Sequence, residues 1–494
     1  MRTFWRWLKS GKAFPAQIFV AALVLRLVPV LLATNLGIGL DDMFQYDMLA
    51  RSIVAGNGYR WYAQQDLPLI QPYIPLDLTS VNYDPRGVLT SFRPPLYPVF
   101  LALIYFVFGV GAKRFFIARL AQTVLAASLA PLTYALARRF FPDGSTDRSP
   151  CRRPRASVIV AWVIALYPML VIYPLSLATE NLFFVLVLSS MLVLLKASEK
   201  LTWQWFVLGG ILLGLTALTR SVSLGFAGLA VLWVWFVLHQ RKMAVVVFAT
   251  VALVTLPWMV RNTLLHHKLT GIESALGYDL YVGYHPAGSG TFQYPQSLDL
   301  LPMLDDGQRD AIGRGKAVEF VQADPARFPY LVVRRMGYFF GLERRALTYF
   351  YSNDFFGHLP ISLLLLIAAI LCLPFVLVST FGAFGLALAR WRKETLLLTL
   401  FLIGYITPHL FIIAEDRFHL ATVPFLAILA AYCWTGGWSD LRVRWQTRSG
   451  RVAILLASLA IVLLFTNWGL ELWRDGGKLI QLFGPNGNRT YFPY

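Results

Sequence analysis

The stretch "HLPISLLLLIAAILCLPFVLVSTFGAFGLAL" (358–388) contains no Asp, Glu, Lys or Arg. A bilayer-crossing helix needs only about 20 mainly apolar residues, so this stretch is long enough to span with room for tilt. Apolar stretches of the same kind recur at 14–36, 115–137, 156–174, 178–197, 203–220, 222–239, 243–260, 395–414, 418–435 and 451–468, which gives about eleven crossings at the usual span length. With 57% hydrophobic and 14% charged residues, the chain reads as an all-α polytopic membrane protein.

The formal net charge of +18 does not point to nucleic acid, because the excess sits in short connections between apolar stretches. These are "RRFFPDGSTDRSPCRRPR" (138–155), "HQRK" (239–242), "RWRK" (390–393) and "SDLRVRWQTRSGR" (439–451). Lys and Arg concentrate on the cytoplasmic side of membrane proteins, so all four are assigned there. The amino-terminal "MRTFWRWLKSGK" is basic and precedes a long apolar run without a small-residue cleavage site, the pattern of an uncleaved signal anchor. Cys151, Cys372 and Cys433 are few, and two of them sit in or beside apolar segments, which argues against a disulfide framework.

Parity then decides which segments face outward. The run "PPLYPVFLALIYFVFGVG" (94–111) starts with two prolines and ends in glycines, whereas 115–137 leads directly into Arg138 and Arg139. The former is therefore expected to be re-entrant or to lie on the membrane surface, although this leaves Lys113, Arg114 and Arg119 on the outer side. The organisation that follows is a cytoplasmic amino terminus and first span (1–36), a first outer loop (37–112), a transmembrane bundle (113–260), a large outer loop (261–357), a second bundle (358–468) and an outer tail (469–494). Within the large loop, "ADPARFPYLVVRRMGYFFGLERR" (323–345) mixes aromatics and arginines as a helix lying on lipid headgroups does.

The outer face gathers the chemistry-bearing residues. In "GLDDMFQYDMLARSIVAGNGY" (39–59), Asp42, Tyr46, Ala50 and Ile53 share one helical face, and Asp41 or Asp42 stands at the N-cap. A cap requires one acid; the other is free to act as a base or a metal ligand. Glu180 in "YPLSLATENLFFVL" (173–186) lies at the outer end of a span, where a buried charge is costly and tends to be functional. Arg93, Arg220, Arg261 and Arg417 fall at the same level, and the planar guanidinium fork matches phosphate oxygens. Arg26, in the middle of the first span, reads instead as a structural residue. Acids and arginines at membrane depth suit transfer from a lipid-borne phosphate, with a carboxylate accepting the nucleophile's proton and arginines holding the leaving group. Walker A, H-E-x-x-H, G-x-S-x-G and paired C-x-x-C motifs are missing.

Taken in order, "DDMFQYDMLARSIVAGNGY", "FRPPLYPVFLALIYFVFG", "SLATENLFFVLVL", "GLTALTRSVSL", "LPWMVRNTLLHHKLTGIESALGYDLYVGYHPAGSG" and "EDRFHLATVPFLAILAAY" resemble the GT-C integral-membrane glycosyltransferases. The branch in question includes protein O-mannosyltransferases (glycosyltransferase family 39), lipid A aminoarabinose transferases and rhizobial galacturonosyltransferases. The resemblance runs from about residue 14 to 435 and implies an inverting glycosyltransferase, using a polyprenyl-phosphate sugar donor, in the plasma (inner) membrane with its site on the extracytoplasmic face. The acceptor class, whether lipid, glycan or protein, stays open. The resemblance places the catalytic aspartate on Asp42 with Asp41 as competitor, a second acid on Glu180, and the donor phosphate on Arg93, Arg220 and Arg417. Tyr46 and Tyr97 are expected to position substrate, and Arg261 to join the phosphate site. No metal is required; a divalent cation held by Asp42 and Glu180 is compatible with the donor set. The family often has Asp-Glu where this chain has Asp42-Met43, and tyrosine where it has Phe418. A polytopic transporter or lipid flippase is the alternative, distinguished by polar residues spread through mid-depth of the bundle.

Overall fold

The computed structural model describes residues 13–79, 81–141 and 153–489. The basic amino-terminal stretch, most of the 138–155 connection with Cys151, and the end of the outer tail lie outside the described residues. Among the described residues all regular secondary structure is helical apart from one two-stranded antiparallel ladder, Arg60–Trp61 with Val88–Leu89, in which Arg60 faces Leu89. Every apolar stretch singled out above falls largely on helix. Among the described residues seven helices are long and apolar enough to cross a membrane, and an eighth if the bent pair Ala156–Leu166 and Pro168–Leu175 is one span. Trp203–Thr219 and Ser221–Phe236 are shorter apolar helices, and Val423–Trp445 is interrupted by a left-handed backbone at Gly437 (φ 61°). Seven or eight helices of span length stand against the expected number of about eleven crossings, because the remaining apolar stretches fall on helices that are shorter than a span or are broken.

The bent pair explains Arg26. Pro168 has no N–H to donate to the carbonyl four residues earlier, and the axis turns by 54° there. The fully buried Arg26 supplies the missing donors, with Nη2 donating to the Ile164 carbonyl (3.0 Å) and Nη1 to those of Ala165 (3.1 Å) and Ala22 (3.2 Å). Freed carbonyls in an apolar bundle need such partners, so a mid-span cation here serves backbone rather than transport.

Small residues let the spans touch. A Cβ on Gly225 would lie 2.5 Å from the Gly404 carbonyl oxygen, and one on Gly385 1.8 Å from that of Leu429. Such contacts are how membrane helices gain packing without a hydrophobic driving force between them.

Segments from 37–112 and 261–357 share a second core, built on Phe44, Met48, Trp61, Phe92, Tyr278 and Leu304. Helices Leu276–Tyr284 and Asp306–Ala323 cross at Gly277 and Gly313, where a Cβ would meet the opposing backbone at 2.0 and 2.3 Å. Helix Leu96–Phe108 returns to helix Asp42–Val54 at both ends. Arg93, just before it, binds Asp42, and Arg114, just after it, donates to Asp47. Arg114 and Arg119, which the parity reading leaves against the usual charge bias, are thus internally partnered. Arg119 is buried and donates to the carbonyls of Leu175 (2.8 Å), Gly37 (2.6 Å) and Leu36.

Helix Arg327–Phe339 is amphipathic, as its sequence suggests, but its arginines do not all face outward. Arg335 is fully buried, donating to the carbonyls of Gly283 (2.6 Å), Leu410 (3.2 Å) and Gly290 (3.3 Å), while Tyr330, Val333 and Met336 form the exposed face.

Candidate active site

Helix Asp42–Val54 starts at Asp41, whose Oδ1 accepts the Met43 N–H at 3.0 Å. That is the N-cap bond, so capping is assigned to Asp41. Asp42 falls in the first turn and faces the bundle. Its Oδ1 accepts from Arg93 Nη2, and its Oδ2 accepts from Arg417 Nη2 at 3.0 Å. One helical turn on, Gln45 Oε1 accepts Arg93 Nε at 2.8 Å, and the guanidinium lies over the Tyr46 ring at 5.6 Å. Asp42, Gln45 and Tyr46 therefore present one face to Arg93, as spacings of three and four residues on a helix require.

Arg93 is delivered by the hairpin. After Leu89, Asp306 accepts from Thr90 Oγ1 and, at 2.8 Å, from the Ser91 N–H, while Arg309 pairs with Asp306 from the other side. Tyr59 donates its hydroxyl to the carbonyls of Arg93 (3.0 Å) and Pro94 (3.1 Å), which holds the chain where Pro94 and Pro95 stiffen it. Arg261 belongs to this scaffold and is not placed on Asp42. Its Nη1 donates to the Thr90 carbonyl at 2.6 Å, and its guanidinium packs on Trp258 at 4.8 Å. Tyr97 is likewise turned into the bundle, donating to Gln122, whose amide in turn donates to Pro174 and Ser176 carbonyls at 3.2 Å. It secures the loop leading to Glu180 and touches Tyr46 edge-on at 5.0 Å.

Arg417 sits on the short turn Asp416–Ala421, which follows helix Lys393–Phe411. Buried Glu415 lies 2.6 Å from Arg417 Nε and accepts from Arg345 Nη2 at 3.1 Å. The turn is pinned behind by His419, whose two ring nitrogens meet the Phe339 carbonyl (2.8 Å) and Glu343 (2.9 Å). Glu180 opens the helix Glu180–Lys200 and pairs with Arg220 Nη1 at 2.6 Å, with Thr179 Oγ1 accepting from the same nitrogen at 3.3 Å. Phe418 lies under both Arg220 (5.0 Å) and Arg417 (5.5 Å) and stacks on His409 at 4.5 Å. It is thus the floor between the two arginines.

Electrostatics follow from these pairings. Burial pushes Asp42 up, but Arg93 and Arg417 outweigh it and hold the carboxyl well below its usual range. For Glu415 the same opposition, burial against Arg345 and Arg417, brings it down to about 2. Asp279 behaves oppositely: burial, then the neighbouring Glu273, push it up to about 8. Both stretches of acid lie in "GIESALGYDLY" (271–281), and neither Glu273 nor Asp279 stands out in sequence. Glu415 belongs to the acidic group of "AEDRFHL" (414–420), whereas Arg345 carries no sequence signal, because its role depends on a partner seventy residues away. Among the described residues no group of three or more His, Cys, Asp or Glu side chains is arranged to hold a metal ion. The pair considered as oxygen ligands, Asp42 and Glu180, is engaged by arginines.

A cavity of about 600 Å³ lies beside the hairpin, lined by Arg60, Tyr83, Asp84, His266, Asp305 and Asp306 among others. None of the arginines on Asp42 lines it.

No protein-family model matches the sequence, and a search of curated proteins finds no match. Solved structures similar to this chain include the Archaeoglobus fulgidus oligosaccharyltransferase tethered to an acceptor peptide (17% identity, TM-score 0.48, covering 98% of this chain and 60% of that one). A second form of that enzyme, in complex with zinc and sulfate, is similar at 17% identity and TM-score 0.46, with 96% and 57% covered. ArnT from Cupriavidus metallidurans bound to undecaprenyl phosphate is similar at 14% identity and TM-score 0.38, covering 88% of this chain and 80% of that one. This chain thus spans about three fifths of the length of the oligosaccharyltransferase.

Proposed function

We propose that this chain is an inverting glycosyltransferase of the GT-C type. It moves a sugar from a polyprenyl-phosphate donor to a lipid, glycan or protein acceptor on the extracytoplasmic face of the plasma (inner) membrane. The observation that carries the reading is the grip of Arg93 and Arg417 on the two oxygens of Asp42, with the Arg220–Glu180 pair alongside. It sits at the ends of several apolar helices, where a lipid-borne phosphate and an aqueous hydroxyl meet.

In the reaction the acceptor oxygen forms a bond to the anomeric carbon as the bond from that carbon to the phosphate oxygen breaks. Asp42 takes the acceptor's proton, and the polyprenyl phosphate leaves with the bonding electron pair onto the arginines. A single displacement of this kind inverts the anomeric centre. Arginines placed where the leaving group's charge develops act as electrostatic stabilisers, with Glu415 and Glu180 fixing their orientation. Tyr46, under Arg93, shapes the approach to Asp42. The positively charged connections at the opposite ends of the spans support the extracytoplasmic assignment, and the resemblances of sequence motifs noted above support the donor class.

The test is sugar release from a panel of polyprenyl-phosphate sugars by purified wild type, Asp42→Asn and Asp41→Asn. Removing a general base costs about 10²- to 10⁴-fold, whereas asparagine caps a helix about as well as aspartate. Turnover lost in Asp42→Asn and kept in Asp41→Asn is expected. Equal release by all three proteins removes Asp42 from the chemistry, and no reaction with any donor removes the transferase reading.

A further inference from the structure

Arg93, Arg220 and Arg417 are matched one for one by Asp42, Glu180 and Glu415, and Arg345 beside them also faces Asp416 at 3.9 Å. A cluster so balanced offers no surplus positive charge to an incoming phosphate unless one carboxylate gives way. The acids differ in which can do so. The side chains of Glu180 and Glu415 are 3% and 4% exposed, whereas that of Asp42 is 27% exposed. Breaking a fully buried pair strands a charge away from water and is strongly destabilising, while a partly exposed carboxylate can trade an arginine for solvent or another ligand at a lower cost. Arg417 pairs by charge with Glu415 on its Nε side and offers Nη2 to Asp42, so the guanidinium keeps a buried counter-ion when Asp42 moves off. Arg93 is kept in place by Gln45 and the Tyr46 ring.

We propose that Asp42 is the exchangeable counter-ion of the clamp, while Glu415 and Glu180 are its fixed ones. The donor's phosphate displaces Asp42 from Arg93 and Arg417, and that displacement frees the carboxylate to take the acceptor's proton. The inference rests on the transferase reading and adds an order to it: donor binds first, acceptor second. A carboxylate held by two guanidinium groups is a weak base, so the free enzyme is guarded against activating an acceptor or water before a donor is in place.

The experiment uses the purified full chain in detergent, with farnesyl phosphate as probe and farnesol and inorganic phosphate as controls. Affinity is read by calorimetry for wild type, Asp42→Asn and Glu415→Gln, and the aspartate carboxylate bands by infrared difference spectroscopy with isotope-labelled aspartate. Farnesyl phosphate is expected to bind Asp42→Asn more tightly than wild type by roughly tenfold or more, since the two charge-assisted hydrogen bonds to Arg93 and Arg417 no longer have to be broken. Glu415→Gln is expected to bind no more tightly than wild type. A carboxylate band should shift on binding to wild type and be missing from Asp42→Asn.

Equal tightening in both variants, with no shift in wild type, overturns the exchange while leaving phosphate binding and sugar release intact. The wild-type infrared result stands even if Glu415→Gln fails to fold. Farnesol binding as well as farnesyl phosphate overturns the phosphate reading of the site itself. Inorganic phosphate reproducing both affinity and band shift overturns the lipid-borne donor and leaves the exchange standing for a free anion.

Discussion

Replacing Asp47 by asparagine tests whether the helix carrying Asp42 is held by charge from behind. Asp47 is fully buried and accepts from Arg51 Nε (2.8 Å), Arg114 Nε (2.8 Å) and Nη2 (3.2 Å), and the Tyr105 hydroxyl (3.0 Å). Asparagine keeps the shape but loses the charge and turns an N–H group toward guanidinium donors. Breaking a buried ion pair costs about 3–5 kcal/mol when the stranded charge cannot reach water. Here Arg51 and Arg114 are 15% and 21% exposed and Arg51 keeps Asp66 at 2.8 Å, so partial screening reduces the expected loss to about 2–3 kcal/mol. The assay is thermal unfolding of the solubilised protein together with hydrogen exchange of peptides covering 42–66, where the loss should concentrate. Adding Arg114→Gln to Asp47→Asn should cost less than the sum of the two single changes by about 1 kcal/mol, because residues in one network couple. Glu319→Gln, which loses only an exposed pair with Lys316, is the control. If Asp47→Asn protects 42–66 as well as that control does, the anchoring account fails.

Arg26→Leu should destabilise by about 2–3 kcal/mol, since it leaves buried carbonyls at the bend without donors; unfolding in detergent measures it, and an unchanged midpoint refutes the bend-capping role. Asp279 gives a pH signature. Its folded value, pushed up to about 8 by burial and Glu273, lies above an unfolded value near 3.9, so its contribution to stability is complete below about pH 4 and is lost as pH rises toward 8. Asp279→Asn should flatten the fall of thermal stability between about pH 4 and 8, and parallel curves for the two proteins refute the assignment. Gly277→Ala drives a methyl against the Asp310 carbonyl, 2.0 Å from the built Cβ position. Overpacking of this kind costs about 1–3 kcal/mol; increased protease sensitivity of 270–325 is the expected readout, and wild-type resistance counts against the crossing.

Much of the membrane architecture was legible from composition alone, because a bilayer core admits only long apolar helices with their backbone bonds satisfied internally. The apolar stretches, the structural character of Arg26, and the grouping of Asp42, Glu180, Arg93, Arg220 and Arg417 all follow from where charge can stand relative to such helices. Local rules also limited the Asp41–Asp42 pair to one cap and one free acid. They could not say which, since both positions suit a cap and only the Met43 N–H and the two incoming guanidinium groups separate them. Arg261 and Tyr97 lie at the same level in sequence as the others, yet the tertiary structure turns them onto the Thr90 carbonyl and Gln122. Arg345 meets Glu415 from seventy residues away, and Asp279 owes its raised value first to burial, which only the packed structure supplies. A guanidinium reaches several ångströms in any direction, so its level along a span is set by hydropathy, and its partner is set only by how the helices pack.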